Sequence, residues 1–209
     1  MQATPLKFYR YPLSGHAHRV ALMLSLLDVP HEVVDVDLRQ REQKRPEFLA
    51  LNAFGQVPVI DDNGVVIADS TAILVYLAKR YGGEAWLPQD PVGAAMVQRW
   101  LSVASGPLAS GPASARLVTL FGAPLDVDAT LSRAHALLAV MEGELSRRDF
   151  LAGDAPTIAD LACYAYVAHA PEGNVSLAQY PRIRAWLVRI ESLPRFVPME
   201  SSPVGLLAA

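Results

Sequence analysis

A proline stands where the apolar pattern asks for a strand, in Gly55-Gln56-Val57-Pro58-Val59-Ile60. Proline cannot donate to a strand ladder and is kept out of strand interiors. The contradiction resolves if Val57-Pro58 is a turn in the cis form, with the strand beginning just after it. Such a turn leaves the Val57 backbone free to pair with an extended peptide. Asp69-Ser70, opening an apolar helical run, adds a carboxylate, a hydroxyl and free helix N–H groups within reach of that peptide's end. Together the two segments have the character of a receptor for a small zwitterionic peptide.

The first third of the chain alternates strand and helix patterns. Leu6 to Tyr9 is a short strand ended by Pro12, and Ala17, Val20, Met23, Leu24 and Leu27 share one helical face, stopped at Asp28-Val29-Pro30. Val34, Val36 and Leu38 alternate with Asp35 and Asp37 as a second strand. A charged segment and a short apolar turn at Phe48-Leu49 follow. Val59-Ile60 and Val65-Val66-Ile67 flank Asp61-Asp62-Asn63-Gly64, a strong hairpin signal. Ser70 is expected to cap a helix through Ile73, Leu74 and Leu77, terminated by Gly82-Gly83. A parallel βαβ half joined to an antiparallel hairpin half is thioredoxin-like topology.

Beyond Trp86 to Pro91, which has the prolines of a linker, no strand pattern recurs. A helix through Val97, Trp100, Leu101 and Ala104 is bent at Gly106-Pro107 and Gly111-Pro112. Leu131, Ala134, Leu138, Met141 and Leu145 form one helical seam, and Ile183, Trp186, Leu187 and Ile190 another. Thr157-Ile158-Ala159-Asp160 between them has capping-box form. The expected architecture is α/β plus all-α, with a thioredoxin-like domain over residues 1–84, a linker over 85–91 and a helical-bundle domain over 92–209.

Composition removes several alternatives. Hydrophobic residues make up 52% of the 209 and charged residues 19%, a globular balance. The net charge of −3 and the lack of any long Lys/Arg cluster argue against nucleic acid as a partner. One cysteine, Cys163, cannot form an internal disulfide, which fits a reducing compartment; its apolar neighbours Leu161, Ala162 and Ala165 make it core packing. The stretch from Met1 to Pro5 lacks a leader pattern and no apolar run reaches membrane-spanning length, so a soluble cytoplasmic protein without membrane contact is expected.

In this order and spacing, Gln56-Val57-Pro58, then Asp69-Ser70, then Thr157-x-x-Asp160 resemble the cytosolic glutathione transferases, in particular bacterial members with a serine-type start. Phe48-Leu-x-x-Asn52-x-x-Gly55 and Tyr180-Pro181-x-Ile183-x-x-Trp186 extend the likeness over nearly the whole chain. The resemblance implies a homodimer that takes glutathione as co-substrate on the first domain, and a small electrophile between the domains. His16 and His18 stand two apart with no nearby Cys or carboxylate, so no metal is expected.

Glutathione must lose its thiol proton to become a nucleophile, and a free thiol has a pKa of about 8.5. A hydroxyl beside the sulfur and a helix N-terminus both favour the thiolate. Ser14, in Pro12-Leu13-Ser14-Gly15-His16, falls where serine-type relatives keep that hydroxyl. Two other readings stand beside it: Ser14 as a plain helix cap, and His16 as the sulfur's donor or as an exposed residue at the helix start. Thiol-oxidoreductase branches put cysteine in this slot, and this chain does not.

For the rest of the peptide the resemblance implies Asp69 on the ammonium and Ser70 on the γ-glutamyl carboxylate, against a simple helix cap. It also implies Val57 on the cysteinyl backbone with Gln56 and Pro58 around it, and Lys44 with Gln43 on the glycine carboxylate, unless Lys44 is merely solvated. Tyr11, Leu13 and the bent helix would line the second-substrate pocket. Arg99 and Arg116 either face that cleft or bridge helices. The leading function is glutathione transfer to apolar electrophiles, with reduction of organic hydroperoxides open to the same thiolate. The alternative is a non-catalytic binding or interaction module, and a glutathione-dependent isomerase ranks below both because Leu13-Ser14-Gly15-His16 departs from its Ser-Ser-Cys type start.

Overall fold

The computed structural model describes residues 5–208, so the part of the leader reading that rests on Met1 to Thr4 falls outside it. Strands β1 (Leu6–Arg10), β2 (His31–Asp35), β3 (Val59–Asp62) and β4 (Val65–Ala68) form a four-stranded sheet in the order β2-β1-β3-β4. β1 runs parallel to β2 and antiparallel to β3, and β3 and β4 form the hairpin across Asn63-Gly64. Asn63 and Gly64 both have positive φ, which is why that dipeptide suits the turn. The thioredoxin-like order expected from the sequence is therefore present.

Helix α1 (Gly15–Leu26) crosses from β1 to β2 and buries Ala17, Val20, Met23 and Leu24. It packs against α3 (Ser70–Leu77) and against α7 (Ile158–Ala168). The short α2 (Pro46–Leu49) covers the other face of the sheet, where Phe48 meets Val36 and Val59. Alternation along β1 explains the split: Leu6 and Phe8 join the main core, whereas Tyr9 packs on the smaller cluster.

Two local expectations need correction. β2 begins at His31, earlier than the alternation from Val34 suggested, and Val36 and Leu38 lie beyond it. It is an edge strand paired to β1 alone, with Val33 43% exposed, so burial imposes little pattern on it. At α3 the cap is Asp69, not Ser70: the Asp69 carboxylate accepts from the Thr71 and Ala72 amides, and Ser70 is the first helical residue. Asp69 holds φ of 73°, a left-handed backbone that this tight entry from β4 demands.

The second half is helical. α4 (Pro91–Ser105) ends at Gly106, and a wider turn over Ala109–Ala113, containing Pro112, leads into α5 (Ser114–Phe121), which is the expected bend. α6 (Val127–Leu145), α7 and α8 (Pro181–Glu191) complete the bundle. Thr157 and Asp160 form the reciprocal capping box. Fully buried Asp160 also accepts from Leu151 N–H and from the Trp186 indole, tying α7 to α8. One continuous apolar cluster runs from β1 through α1 and α3 into α4, α6 and α7, so the two halves share a core.

Candidate functional site

A cavity of about 1000 Å³ lies where the sheet's loops face α5 and the bend before it. Ser14, His16, Gln43, Lys44, Gln56, Val57, Pro58, Asp69, Ser70, Tyr11, Leu13 and Arg116 all line it. Residues from five separate stretches of sequence thus meet on one surface. A second cavity of about 830 Å³ lies on the far side of α1 beneath residues 195–200, and of these residues it shares only Tyr11.

The start of α1 is built tightly. Ser14 is the cap, its Oγ accepting from Ala17 N–H at 3.2 Å. Accepting uses a lone pair and leaves the hydroxyl proton free to donate into the cavity, so capping and thiol binding are compatible roles. A Cβ on Gly15 would sit 2.8 Å from the Tyr166 ring, so only glycine lets α7 come this close. The same ring meets His16 edge-on, with centroids 5.0 Å apart. His16 is therefore half-buried in the cleft, not an exposed residue at the helix start. Burial, with the Arg19 charge adding to it and Asp69 opposing, pushes the His16 pKa down to about 3. The imidazole is neutral at ordinary pH and one ring N–H can donate.

Val57-Pro58 is a cis bond. Among the described residues the Val57 N–H and C=O have no backbone partner, while Asn52 Nδ2 donates to the Gln56 carbonyl at 2.8 Å and fixes the loop. Asp69 Oδ1 takes the Thr71 and Ala72 amides at 2.9 Å, leaving Oδ2 on an exposed residue. Burial alone would raise its pKa, but the hydrogen bonds from Thr71 and Ala72 and the nearby Arg19 charge outweigh it, holding the carboxyl below its usual range. Ser70 Oγ is buried, accepting from Arg19 NH1 at 3.1 Å and lying 3.5 Å from His16 Nδ1. Lys44 Nζ donates to the Phe54 carbonyl at 3.1 Å, and the buried Gln43 Oε1 has no partner.

The two arginines left open by the sequence separate. Arg99 pairs with Glu144 at 3.4 Å between α4 and α6 and does not line the cavity. Arg116 does both things: it pairs with Glu172, donates to the Leu13 carbonyl at 2.8 Å and still forms cavity wall. Sequence reasoning missed Tyr166, Arg19 and Glu172. No local pattern distinguishes them from core or surface residues, and Gly15 is the only nearby hint of the close approach. Among the described residues no group of three or more His, Cys, Asp or Glu is arranged for a metal ion, and no helix is long and apolar enough to cross a membrane. Cys163 is fully buried, and burial pushes its thiol up to about 12.

A thioredoxin-like half whose loops line a cavity, closed by a helical half, defines a thioredoxin-like-plus-helical class of protein. Comparison with known proteins narrows it. The model described as "Glutathione S-transferase, N-terminal domain" matches residues 13–80, and the corresponding C-terminal domain model matches residues 118–194. Glutathione S-transferase 3 of Zea mays is 37% identical over 206 residues, covering 92% of this chain and 91% of the relative. The crystal structure of a glutathione S-transferase from Pseudomonas fluorescens superposes with a TM-score of 0.89 at 34% identity, covering 94% of this chain and 99% of that one. A glutathione transferase homolog from Drosophila mojavensis, solved with bound glutathione, gives 0.83 at 28% identity over 91% of this chain and 89% of its own. The chain belongs to the glutathione S-transferase family, and its activity class is that of a glutathione transferase.

Proposed function

We propose that the protein binds glutathione stretched along the Val57 main chain and transfers its sulfur to a small apolar electrophile. In this reading the γ-glutamyl end rests at the start of α3, its ammonium on Asp69 and its carboxylate on Ser70 and the free helix N–H groups. The cysteinyl amide pairs with Val57, with Gln56 and Pro58 beside it, and the glycine carboxylate meets Lys44 and Gln43. The thiol then lies at the α1 N-terminus. The Ser14 hydroxyl donates to the sulfur, and that bond and the helix dipole stabilise the thiolate; the displaced proton goes to solvent. Neutral His16 offers a second N–H to the same region. The thiolate attacks an electrophilic carbon, a carbon–sulfur bond forms, and a leaving group, where present, departs with its electron pair.

The observation that carries this reading is the convergence on one cavity of the Val57 backbone, the Asp69-Ser70 start and the Ser14 hydroxyl. Tyr11, Leu13 and Arg116 form the second-substrate side, together with apolar Leu117 and Phe121. Organic hydroperoxides are open to the same thiolate as a side reaction. A homodimer, a cytoplasmic setting and a role in detoxification complete the proposal. Phe54, 80% exposed on the loop beside Gly55, is the side chain we assign to that dimer contact.

The experiment compares wild type with Ser14→Ala on an activated aryl halide, together with ultraviolet detection of bound thiolate. Loss of the donor is expected to lower kcat roughly 10²–10³-fold and to raise the bound thiol's pKa. Because Ser14 is also a cap, the variant should lose about 1 kcal/mol of stability, which an unfolding curve separates from catalysis. Full turnover in Ser14→Ala would move the role to His16. Tight glutathione binding by wild type without turnover of any electrophile would make the protein a binding module instead.

A further inference from the structure

Two arginines are almost wholly buried, and only one of them has a counter-charge. Arg116 has Glu172. Arg19, in α1, is 1% exposed and takes part in none of the ion pairs among the described residues. Its NH1 donates to Ser70 Oγ at 3.1 Å, while its Nε and NH2 find no partner. The Tyr166 ring, 5.9 Å from the guanidinium carbon, contributes a cation–π contact and no charge. A buried cation without an anion is costly to maintain, and folds avoid one unless something outside the chain compensates it.

What lies in front of Arg19 indicates the compensation. Ser70 and His16 line the cavity, and Arg19 stands one layer behind them. Having accepted from Arg19, Ser70 Oγ keeps one proton to give. Its protein acceptor is His16 Nδ1 at a long 3.5 Å, so a ligand oxygen competes easily for that proton. Burial, reinforced by Arg19, keeps His16 neutral, so His16 adds no second positive charge to the site. Asp69 is the carboxylate whose field reaches Arg19, and it is occupied by the Thr71 and Ala72 amides.

We propose that Arg19 is a positioning residue for an anionic ligand group: it holds and polarises the Ser70 hydroxyl so that its proton points at a carboxylate seated on the start of α3, and that carboxylate supplies the charge Arg19 lacks. This rests on the reading of Ser70 as the seat of the γ-glutamyl carboxylate. It goes further in giving a residue outside the cavity wall the task of discriminating anionic from neutral peptide heads.

The test measures calorimetric affinity and KM for glutathione and for γ-aminobutyryl-cysteinylglycine, which lacks that carboxylate, in wild type, Arg19→Met and Arg19→Lys. Wild type is expected to prefer glutathione. Arg19→Met should weaken glutathione on the order of 10- to 100-fold while changing the analogue less than about twofold, with kcat nearly kept. Arg19→Lys should recover part of the loss. Equal losses for both peptides would overturn the proposal and make Arg19 a packing residue. So would unchanged glutathione affinity in a folded Arg19→Met. If Arg19→Met does not fold, the lysine variant carries the same comparison, since a smaller loss must still fall on glutathione alone. Wild type failing to bind glutathione at all would instead sink the underlying site reading.

Discussion

Arg116 Nε and Glu172 Oε2 lie 2.5 Å apart, in side chains only 2% and 0% exposed. Around this pair the fold gathers distant segments. Arg116 reaches the Leu13 carbonyl next to Ser14, while Glu172 Oε1 accepts from His169 Nδ1 at 2.7 Å and from Ser202 N–H at 3.0 Å. Burial works against the Glu172 charge, but the His169, Ser202 and Arg116 hydrogen bonds overcome it and hold the carboxyl below its usual range.

Removing one partner strands a buried charge. Glu172→Leu or Arg116→Met should each cost about 3–5 kcal/mol in urea unfolding, whereas the Arg116→Met/Glu172→Leu double variant should cost less than the sum. Strict additivity would show that the two side chains are not energetically coupled. Because Leu13 loses its anchor in Arg116→Met, kcat should fall in that variant even under conditions where it is fully folded.

Gly55 has φ of +57°, and a Cβ there would approach the Gln43 carbonyl to 2.6 Å and Lys44 Nζ to 2.9 Å. Gly55→Ala should therefore destabilise by about 1–3 kcal/mol from backbone strain. It should also raise the KM for glutathione more than it lowers kcat, since it displaces the end of the site far from the sulfur. A kcat-only effect would contradict the placement of the glycine carboxylate.

Acid sensitivity follows from two histidines, His16 half-buried and His18 buried. His16 is pushed down to about 3 and His18 to about 4, in both cases mainly by burial. Between the ordinary histidine pKa of about 6.5 and those values, the unfolded chain binds protons that the folded one refuses. Stability is fully present above about pH 6.5 and declines as pH falls toward 4, by up to ~1.4 kcal/mol per pH unit for each histidine. His18→Gln should flatten the denaturant-midpoint profile between pH 6.5 and 4.5. A profile parallel to wild type would show that His18 titrates normally in the fold.

Phe54→Ser removes the most exposed aromatic beside the cleft. If that ring seats in a partner subunit, sedimentation should show a dimer shifting to monomer, with thermal stability of the monomer little changed. An unaltered dimer, or a wild-type monomer, would count against the proposed assembly.

Much of the fold and of the candidate site was legible in the sequence. Pro58 within an apolar run, Asn63-Gly64, Asp69-Ser70 and Thr157-x-x-Asp160 are local signals, each read from a backbone requirement or a cap. The reading failed by one residue at α3, where Asp69 and Ser70 are both good caps and only the chain's entry angle chooses between them. It failed also at β2, whose edge position gives burial little to pattern.

By its own order of strands, helices and turns, the sequence determined the α/β half, the helical half and the stretches that line the candidate site. Only the tertiary structure decided that Tyr166 would lie on Gly15, that Arg116 would find Glu172 and that Arg19 would stand unpaired behind Ser70. Caps and turns are set by neighbours a few residues apart, which a sequence displays directly. Charge pairing and close approach in a core depend on residues as far apart in sequence as Arg19 and Ser70, Arg116 and Glu172, or Gly15 and Tyr166, and those meet only when distant elements pack.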